Sequence, residues 1–201
     1  MIEVKFSYII LGAVICFILS ACADNNIETR LSKGQANHST KTDKAVVYSE
    51  VQLVHFNKEE LINAADTIIK GTVLSQEVQK SFEGFPATDT IIQVQTVYKG
   101  EPGETVEIRT EGGETEDMIL ITDEAITPSF EMNEEVIVFL SADKGSRPDE
   151  NDFGYYVIGQ AQGVFSLKDS LQSEIIENNT KTISFDVNNI QSEINAWVEI
   201  H

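Results

Sequence analysis

The chain has 201 residues and a formal net charge of -19 at pH 7, with 33 Asp and Glu against 14 Lys and Arg. Sixteen of the acids lie within residues 101–152, where the basic residues are Arg109, Lys144 and Arg147. Such a surface repels phosphate backbones, so we expect no nucleic-acid partner. An anionic lipid surface would repel it as well.

The N-terminal segment has the pattern of a secretory signal peptide. Phe6 to Leu19 is an almost unbroken apolar run, and the small residues Ser20 and Ala21 lead from it to Cys22. The run is too short and wrongly flanked for a spanning helix, whereas its length and its small-residue end are typical of a cleaved signal. We expect cleavage between Ala21 and Cys22, which makes residues 1–21 the signal peptide. An uncleaved signal anchor is the alternative.

The sequence Leu19-Ser20-Ala21-Cys22 resembles the lipobox of bacterial lipoproteins. In that family the cysteine thiol receives a diacylglyceryl group and the cysteine becomes the mature N-terminus. The resemblance implies that Cys22 carries the lipid, with acyl chains such as palmitate, and that the protein is held at the outer side of the cytoplasmic membrane. Because each buried CH₂ contributes about 0.8 kcal/mol, two or more acyl chains hold firmly where one is marginal.

Residues 22–45 are polar, with almost no apolar periodicity. This composition predicts a flexible tether, with an end-to-end distance of about 25–30 Å. A single domain is expected over residues 46–201, which is long enough to bury a proper core. Cys16 lies in the signal peptide and Cys22 would be lipidated, so packing rather than disulfides must stabilise this domain.

The first element signal in the domain is a short helix. Asn57 is a good N-cap residue, Glu60 stands three positions later, and an apolar face follows. The residues of that face are Leu61, Ile62 and Ala65. The pattern predicts a capping box, in which each side chain accepts a hydrogen bond from the other residue's backbone.

Strand patterns fill most of the remaining chain. The first, from Thr67 to Val78, is interrupted at Gly71, where we expect a bend or a β-bulge. Further strands are predicted at residues 89–98, 105–110, 118–122, 136–140, 155–158, 163–167 and 182–185. Asp186 is then predicted to cap a final helix. The apolar side of that helix would carry Val187, Ile190, Ile194, Trp197 and Val198.

Seven or eight short strands with helices only at the two ends favour a mainly β fold, a small closed or nearly closed barrel. The order of several short segments is similar to the OB-type barrel of netrin-like domains, the fold of tissue metalloproteinase inhibitors. These segments are Ala65–Val73, Val97–Gly100, Val106–Thr110, Gly112-Gly113 and Val136–Leu140. The resemblance spans about residues 60–168 and implies an OB-like barrel with a short N-terminal and a C-terminal helix.

The function of those inhibitors is not implied. They chelate a protease zinc through an N-terminal cysteine packed on the barrel. Cys22 is expected to be lipidated and stands more than forty residues before the first predicted barrel strand. The disulfides of that family are absent as well.

No familiar catalytic motif occurs in the sequence. The three histidines, His38, His55 and His201, form no spaced pair of the zinc-hydrolase type. A Gly-x-Ser-x-Gly elbow and a phosphate-binding glycine loop are also absent. Paired carboxylates stay open, because general acid–base chemistry needs only two acids in different environments.

An acidic, turn-rich loop is the candidate for a cation site. It contains Asp143, Asp149, Glu150 and Asp152, whose hard oxygen atoms are the ligands that calcium prefers. The spacing is not that of an EF-hand loop. Two basic residues of the same loop could pair with these acids, so a hairpin loop with surface ion pairs is the alternative.

Aromatic residues follow this loop and could form the floor of a ligand surface, since OB-type barrels bind on one face. They are Phe153, Tyr155 and Tyr156. We therefore expect a membrane-anchored, extracytoplasmic lipoprotein with a non-catalytic domain that binds a ligand or a membrane or cell-wall protein, without a cofactor. One alternative is a carboxylate-dependent hydrolase acting on the cell wall. The other is a calcium- or peptide-binding accessory protein.

Overall fold

The computed structural model describes residues 44–50, 52–143, 154–168 and 173–198. The protein is mainly β, with helix α1 at Lys58–Ala64, helix α2 at Ile190–Val198 and a 3-10 turn at Gln160–Gly163. Within these ranges the strands β1 to β11 occupy Ala45–Tyr48, Thr67–Lys80, Pro86–Lys99, Thr105–Glu111, Gly113–Glu114, Met118–Ile121, Glu135–Ala142, Tyr155–Val157, Val164–Ser166, Ile175–Glu177 and Ser184–Asp186.

Five strands close into a barrel in the ring order β2-β3-β4-β8-β7, because β7 pairs with β2 as well as with β8. Neighbouring strands are antiparallel except β4 and β8, which are parallel where Ile108 meets Tyr155. The prediction of a small OB-like barrel with a helix near each end is confirmed. Strand β9 pairs beside the first half of β7, and β10 and β11 form a separate hairpin.

A second, three-stranded sheet has the order β1-β6-β5. Strand β1 is parallel to β6, with Ala45 opposite Met118 and Tyr48 opposite Ile121. Strand β5 follows β4 after a single residue, Gly112, whose φ of 108° is readily adopted only by glycine. This sharp change of direction attaches the second sheet to the end of β4.

The predicted irregularity at Gly71 is present. The register between β2 and β3 shifts between Lys70 and Gly71. A Cβ atom at Gly71 would overlap the carbonyl oxygen of Gln93 and the side chain of Ile92. Glycine therefore allows the close approach of the two strands at the point where β2 bends around the barrel.

Strand β7 is shared by two hydrophobic clusters. Val136, Val138 and Leu140 belong to the cluster inside the barrel. Ile137 and Phe139 alternate with them and belong to the cluster that contains the helices. Because successive side chains of a strand point to opposite faces, a strand that is buried on both faces is apolar at every position.

The cluster outside the barrel, here called the helix-side core, joins α1, α2 and three phenylalanine rings. Leu61 of α1 and Ile194 of α2 are fully buried in it. The ring centroid of Phe139 lies 5.5 Å from that of Phe165 and 5.7 Å from that of Phe185. The centroids of Phe165 and Phe185 are 5.3 Å apart. Apolar burial and aromatic contacts of this kind are the main source of stability in a domain without disulfides.

Helix α1 has the predicted capping box. The backbone N–H of Glu60 donates to Asn57 Oδ1 at 3.0 Å, and the backbone N–H of Asn57 donates to Glu60 Oε2 at 2.9 Å. Lys58 Nζ lies 2.5 Å from Glu193 Oε2 of α2, which links the two helices. None of the helices in the described ranges is long and apolar enough to cross a membrane.

The prediction that Asp186 caps the final helix is wrong. Helix α2 begins at Ile190, and a turn separates it from Asp186, the last residue of β11. The carboxylate of Asp186 instead accepts hydrogen bonds within that turn, from the backbone of Asn188 and the side chain of Asn189. Local bonds of this kind hold a turn where an N-cap would start a helix.

Candidate ligand-binding site

A cavity of about 540 Å³ lies outside the barrel, where β1 faces the end of β4. Residues 47–50 form the part of its lining that comes from β1 and the segment after it. The β2–β3 connection contributes Ser81, Glu83 and Phe85, and the start of β3 contributes residues 86–87. Further parts of the lining come from residues 109–111 of β4 and Tyr156 of β8. Segments far apart in sequence therefore meet at one surface of the barrel.

A buried ion pair lies beside the cavity, and its arginine lines the cavity. Asp89 of β3 and Arg109 of β4 lie opposite each other in the sheet and are 4% and 7% exposed. Arg109 Nε donates to Asp89 Oδ1 at 2.6 Å, and Arg109 Nη2 donates to Asp89 Oδ2 at 2.7 Å. The side-chain amide of Gln79 also donates to Asp89.

The position of this pair follows from strand alternation. Ile92 and Ile108 fill the barrel interior, so the residues of opposite parity, Asp89 and Arg109, point outward. A buried ion pair is tolerated only when its geometry is good, and the two-point contact fixes the guanidinium plane. Arg109 therefore enters the cavity in a defined orientation with its charge already matched by Asp89.

Glu107 precedes Arg109 by two residues on the same outer side of β4. Burial raises the pKa of Glu107 above its ordinary value, and the negative charge of Asp89 raises it further. The positive charge of Arg109 opposes these effects, and the carboxylate of Glu77 adds to them. The outer side of β3 and β4 thus gathers several carboxylates around one guanidinium.

The lining of the cavity is acidic and partly aromatic. Its charged side chains, within the described part of the chain, are Arg109 and three glutamates, Glu50, Glu83 and Glu111. Phe85 and Tyr156 supply aromatic surface beside them. Among the described residues, the lining therefore has more acidic than basic side chains.

A strained turn forms another wall of the cavity. Gly159 and Gln160 are both left-handed, with φ of 66° and 56°, and such a conformation is uncommon for a residue other than glycine. Gln162 holds this turn in place, since its side chain donates to the carbonyl of Val54 and accepts from the backbone N–H of Phe56. The wall is therefore fixed by hydrogen bonds to the segment that precedes α1.

Most of the residues predicted as sites lie outside the described ranges. These are Ala21 and Cys22 of the predicted cleavage and lipidation site, and Asp149, Glu150 and Asp152 of the acidic loop. Asp143 is described, and its backbone N–H donates to the carbonyl of Gly154 at 2.9 Å, which closes the base of the loop. Among the described residues, no group of three or more His, Cys, Asp or Glu is placed to hold a metal ion. The calcium site stays a prediction.

Of the predicted ligand-surface aromatics, Tyr156 lines the cavity, and Phe153 lies outside the described ranges. Carboxylate-dependent hydrolysis would need two acids facing the same ligand. Three glutamates line the cavity, Glu50, Glu83 and Glu111, whereas Asp89 is bonded to Arg109 and Glu107 does not line it. The hydrolase alternative stays a prediction.

Sequence patterns did not predict the Asp89–Arg109 pair or strand β1. One signal was available for the pair, because Arg109 is one of only three basic residues in the acidic region and falls on the polar side of an alternating strand. Strand β1 is only four residues long and pairs with a segment more than seventy residues away. No pattern in the four residues of β1 indicated that this strand would line the cavity.

No model of a known protein family matches this sequence, and no curated protein matches it either. The function of the protein is therefore inferred from the cavity and from the N-terminal motif.

Proposed function

We propose that the protein is a membrane-anchored, extracytoplasmic lipoprotein whose barrel is a non-catalytic binding module, with the cavity beside Arg109 as its ligand site. The observation that carries this proposal is the orientation of Arg109, which lines the cavity and whose guanidinium is fixed by two hydrogen bonds to Asp89. Concave sites with aromatic walls and a few oriented polar groups are the usual form of ligand sites. OB-type barrels also bind ligands on the outer side of their second and third strands, which here are β3 and β4.

Charge and aromatic surface are the main features of the lining. Its acids are three glutamates, which can transfer protons, and its described residues include no His, Cys or Lys. The guanidinium of Arg109 keeps its charge at all relevant pH values and does not act as a base. What the lining offers is shape, aromatic surface and charge.

The predicted tether supports a site close to the membrane. Residues 23–44 connect Cys22 to the first residue of β1, and a flexible chain of this length spans about 25–30 Å. Residues that directly follow the tether, 47–50, line the cavity. A ligand bound there would lie near the membrane surface.

Membrane anchoring is tested by fractionation of cells that express the Cys22→Ala variant. We expect the variant to lose the acyl mass seen on the wild-type protein and to leave the washed membrane fraction. Wild-type protein that carries no acyl mass would contradict the proposed lipidation, whatever its location.

Ligand binding at the cavity is tested by photocrosslinking in cells. A photoreactive phenylalanine derivative is placed at Tyr48 or Phe85, which are exposed and line the cavity, and at Met132 as the matched control. Met132 is also exposed but does not line the cavity. We expect the same discrete adduct from both cavity positions and none from Met132. Adducts that do not depend on position, or none at all, would contradict a binding role for the cavity.

A further inference from the structure

Strand β1 leaves one of its edges open within the described part of the protein. The backbone N–H groups of Ala45 and Ser49 donate to carbonyls of β6, at Asp117 and Ile121. Since successive N–H groups of a strand point to opposite edges, those of Val46 and Tyr48 point away from β6. The pairing found for β1 in the described ranges is with β6.

This open edge is accessible and adjoins the cavity. Val46 is 50% exposed and Tyr48 is 72% exposed. Tyr48 itself lines the cavity, and Phe85 on the β2–β3 connection, which is 43% exposed, adds apolar surface to the same lining. A strand added beside β1 would therefore meet aromatic side chains as well as backbone donors and acceptors.

The charge around the open edge of β1 favours some partner segments over others. Glu50, Glu83 and Glu111 line the cavity, and Asp89 already matches Arg109. The net charge of -19 adds a long-range attraction for cations. An acidic peptide, a nucleic acid or an anionic lipid surface would be repelled.

We propose that the cavity binds an extended basic segment of a partner protein, which adds as a strand to the open edge of β1. The proposal rests on the binding role proposed above and names the chemistry of the ligand. Backbone hydrogen bonds to β1 give affinity for an extended chain of any sequence. Apolar side chains on one face of the segment pack against Phe85 and Tyr48, and lysine or arginine side chains approach the three glutamates.

The test uses fluorescein-labelled peptides of about nine residues, the length of an ordinary strand. One peptide alternates lysine and valine, a second alternates glutamate and valine, and a third contains only lysine. Full-length lipidated protein is held in nanodiscs of phosphatidylcholine, with empty nanodiscs as the blank. We expect the lysine–valine peptide to bind at least about tenfold more tightly than the other two, with an affinity that falls as salt is added.

Two sets of variants distinguish binding at the cavity and the open edge of β1 from nonspecific electrostatic attraction. Replacing Glu50, Glu83 and Glu111 by Gln should weaken binding about tenfold or more, whereas the same change at exposed glutamates outside the cavity should alter it less than about twofold. The control set is Glu101, Glu104 and Glu177. The Tyr48→Pro variant, which removes a backbone donor of the open edge, should bind more weakly than Tyr48→Ala. Proline is tolerated on edge strands, and circular dichroism confirms the fold of each variant.

Several outcomes would overturn the proposal. They are no binding of the lysine–valine peptide up to millimolar concentration, equal binding of the all-lysine peptide, equal loss in the two glutamate sets, or equal affinities of the two Tyr48 variants. If the photocrosslinked adduct forms at Tyr48 and Phe85 while the peptide does not bind, the peptide chemistry fails and the binding role stands. If both experiments are negative, both proposals fail.

Discussion

The two outer sides of the barrel are buried by opposite kinds of chemistry. On the helix-side core, β7 meets α1, α2 and a cluster of phenylalanine rings, and Phe139 is completely buried. On the side of β3 and β4, the buried residues include the ion pair of Asp89 and Arg109 besides Ala87, and an open cavity lies beside them. One side is closed by apolar packing, whereas the other contains a buried charged pair.

The difference separates a side that stabilises the fold from the side where we propose that a ligand binds. Apolar burial stabilises the folded chain directly, whereas a buried ion pair contributes little beyond what an apolar pair of the same size would give. What the ion pair does provide is a fixed guanidinium in a cavity. The comparison predicts that substitutions on the helix-side core reduce stability, and that paired substitutions at the ion pair spare it.

The largest effect is expected from Phe139→Ala, because the other two rings of the cluster cannot close the space that it leaves. The free energy of unfolding should fall by about 3–5 kcal/mol. Urea unfolding followed by the fluorescence of Trp197 measures this change. The control is Phe82→Ala at an exposed ring, which should cost less than about 1 kcal/mol. Equal losses in the two variants would contradict the assignment of stability to the helix-side core.

The next effect is expected from Arg109→Leu, which leaves the buried carboxylate of Asp89 without its two-point partner. The loss should be about 3 kcal/mol, because an uncompensated buried charge is strongly destabilising. The double variant Asp89→Leu with Arg109→Leu should recover most of that stability. A double variant no more stable than the single one would show that the pair itself stabilises the fold.

A smaller effect is expected at the cap of α1. Asn57→Ala removes the side-chain oxygen that accepts the N–H of Glu60 and should cost about 1 kcal/mol. Asn63→Ala is the matched control, since Asn63 is exposed on the same helix and alanine is the better helix former. Thermal unfolding of the two variants checks the difference. A loss at Asn63 as large as that at Asn57 would contradict the capping interpretation.

The smallest effect is expected from Glu107→Gln and depends on pH. Burial and then Asp89 raise the pKa of Glu107 in the folded protein, so the folded state holds this proton more tightly than the unfolded state. The contribution of Glu107 to the stability of the wild-type protein is therefore fully present below the ordinary pKa of 4.5. It is lost as the pH rises through the raised pKa of the folded state. Glutamine should stabilise the protein at neutral pH, with no gain at acid pH.

Urea unfolding at several pH values checks the prediction for Glu107. The control is Glu101→Gln, which removes one charge from an exposed turn and corrects for the change in net charge. A gain for Glu107→Gln that persists below pH 4 would show that the shifted proton is not its cause.

The parts of the fold that local patterns govern were predictable. The apolar run at 136–140 indicated a strand, and the spacing of Asn57 and Glu60 predicted the capping box. Gly71 marked the irregularity in β2 because only glycine fits there. In each case a residue and its immediate neighbours carried the whole physical reason.

The cavity could not be predicted in the same way, because long-range pairings create it. Strand β1 pairs in parallel with β6, and no feature of its four residues specifies that partner. Asp89 and Arg109 meet through the register of β3 and β4, which the hydrophobic pattern restricts but does not assign residue by residue. Among the 33 acidic residues of the chain, nothing in the sequence marks Asp89 as buried.

The contact between α1 and α2 also restricts when the domain can fold. Leu61 is buried against residues from the last described element, among them Ile190 and Ile194. During synthesis from the N-terminus onward, Leu61 stays without its α2 contacts until residues 190–194 have been added, so the helix-side core is completed only after most of the described chain has been made.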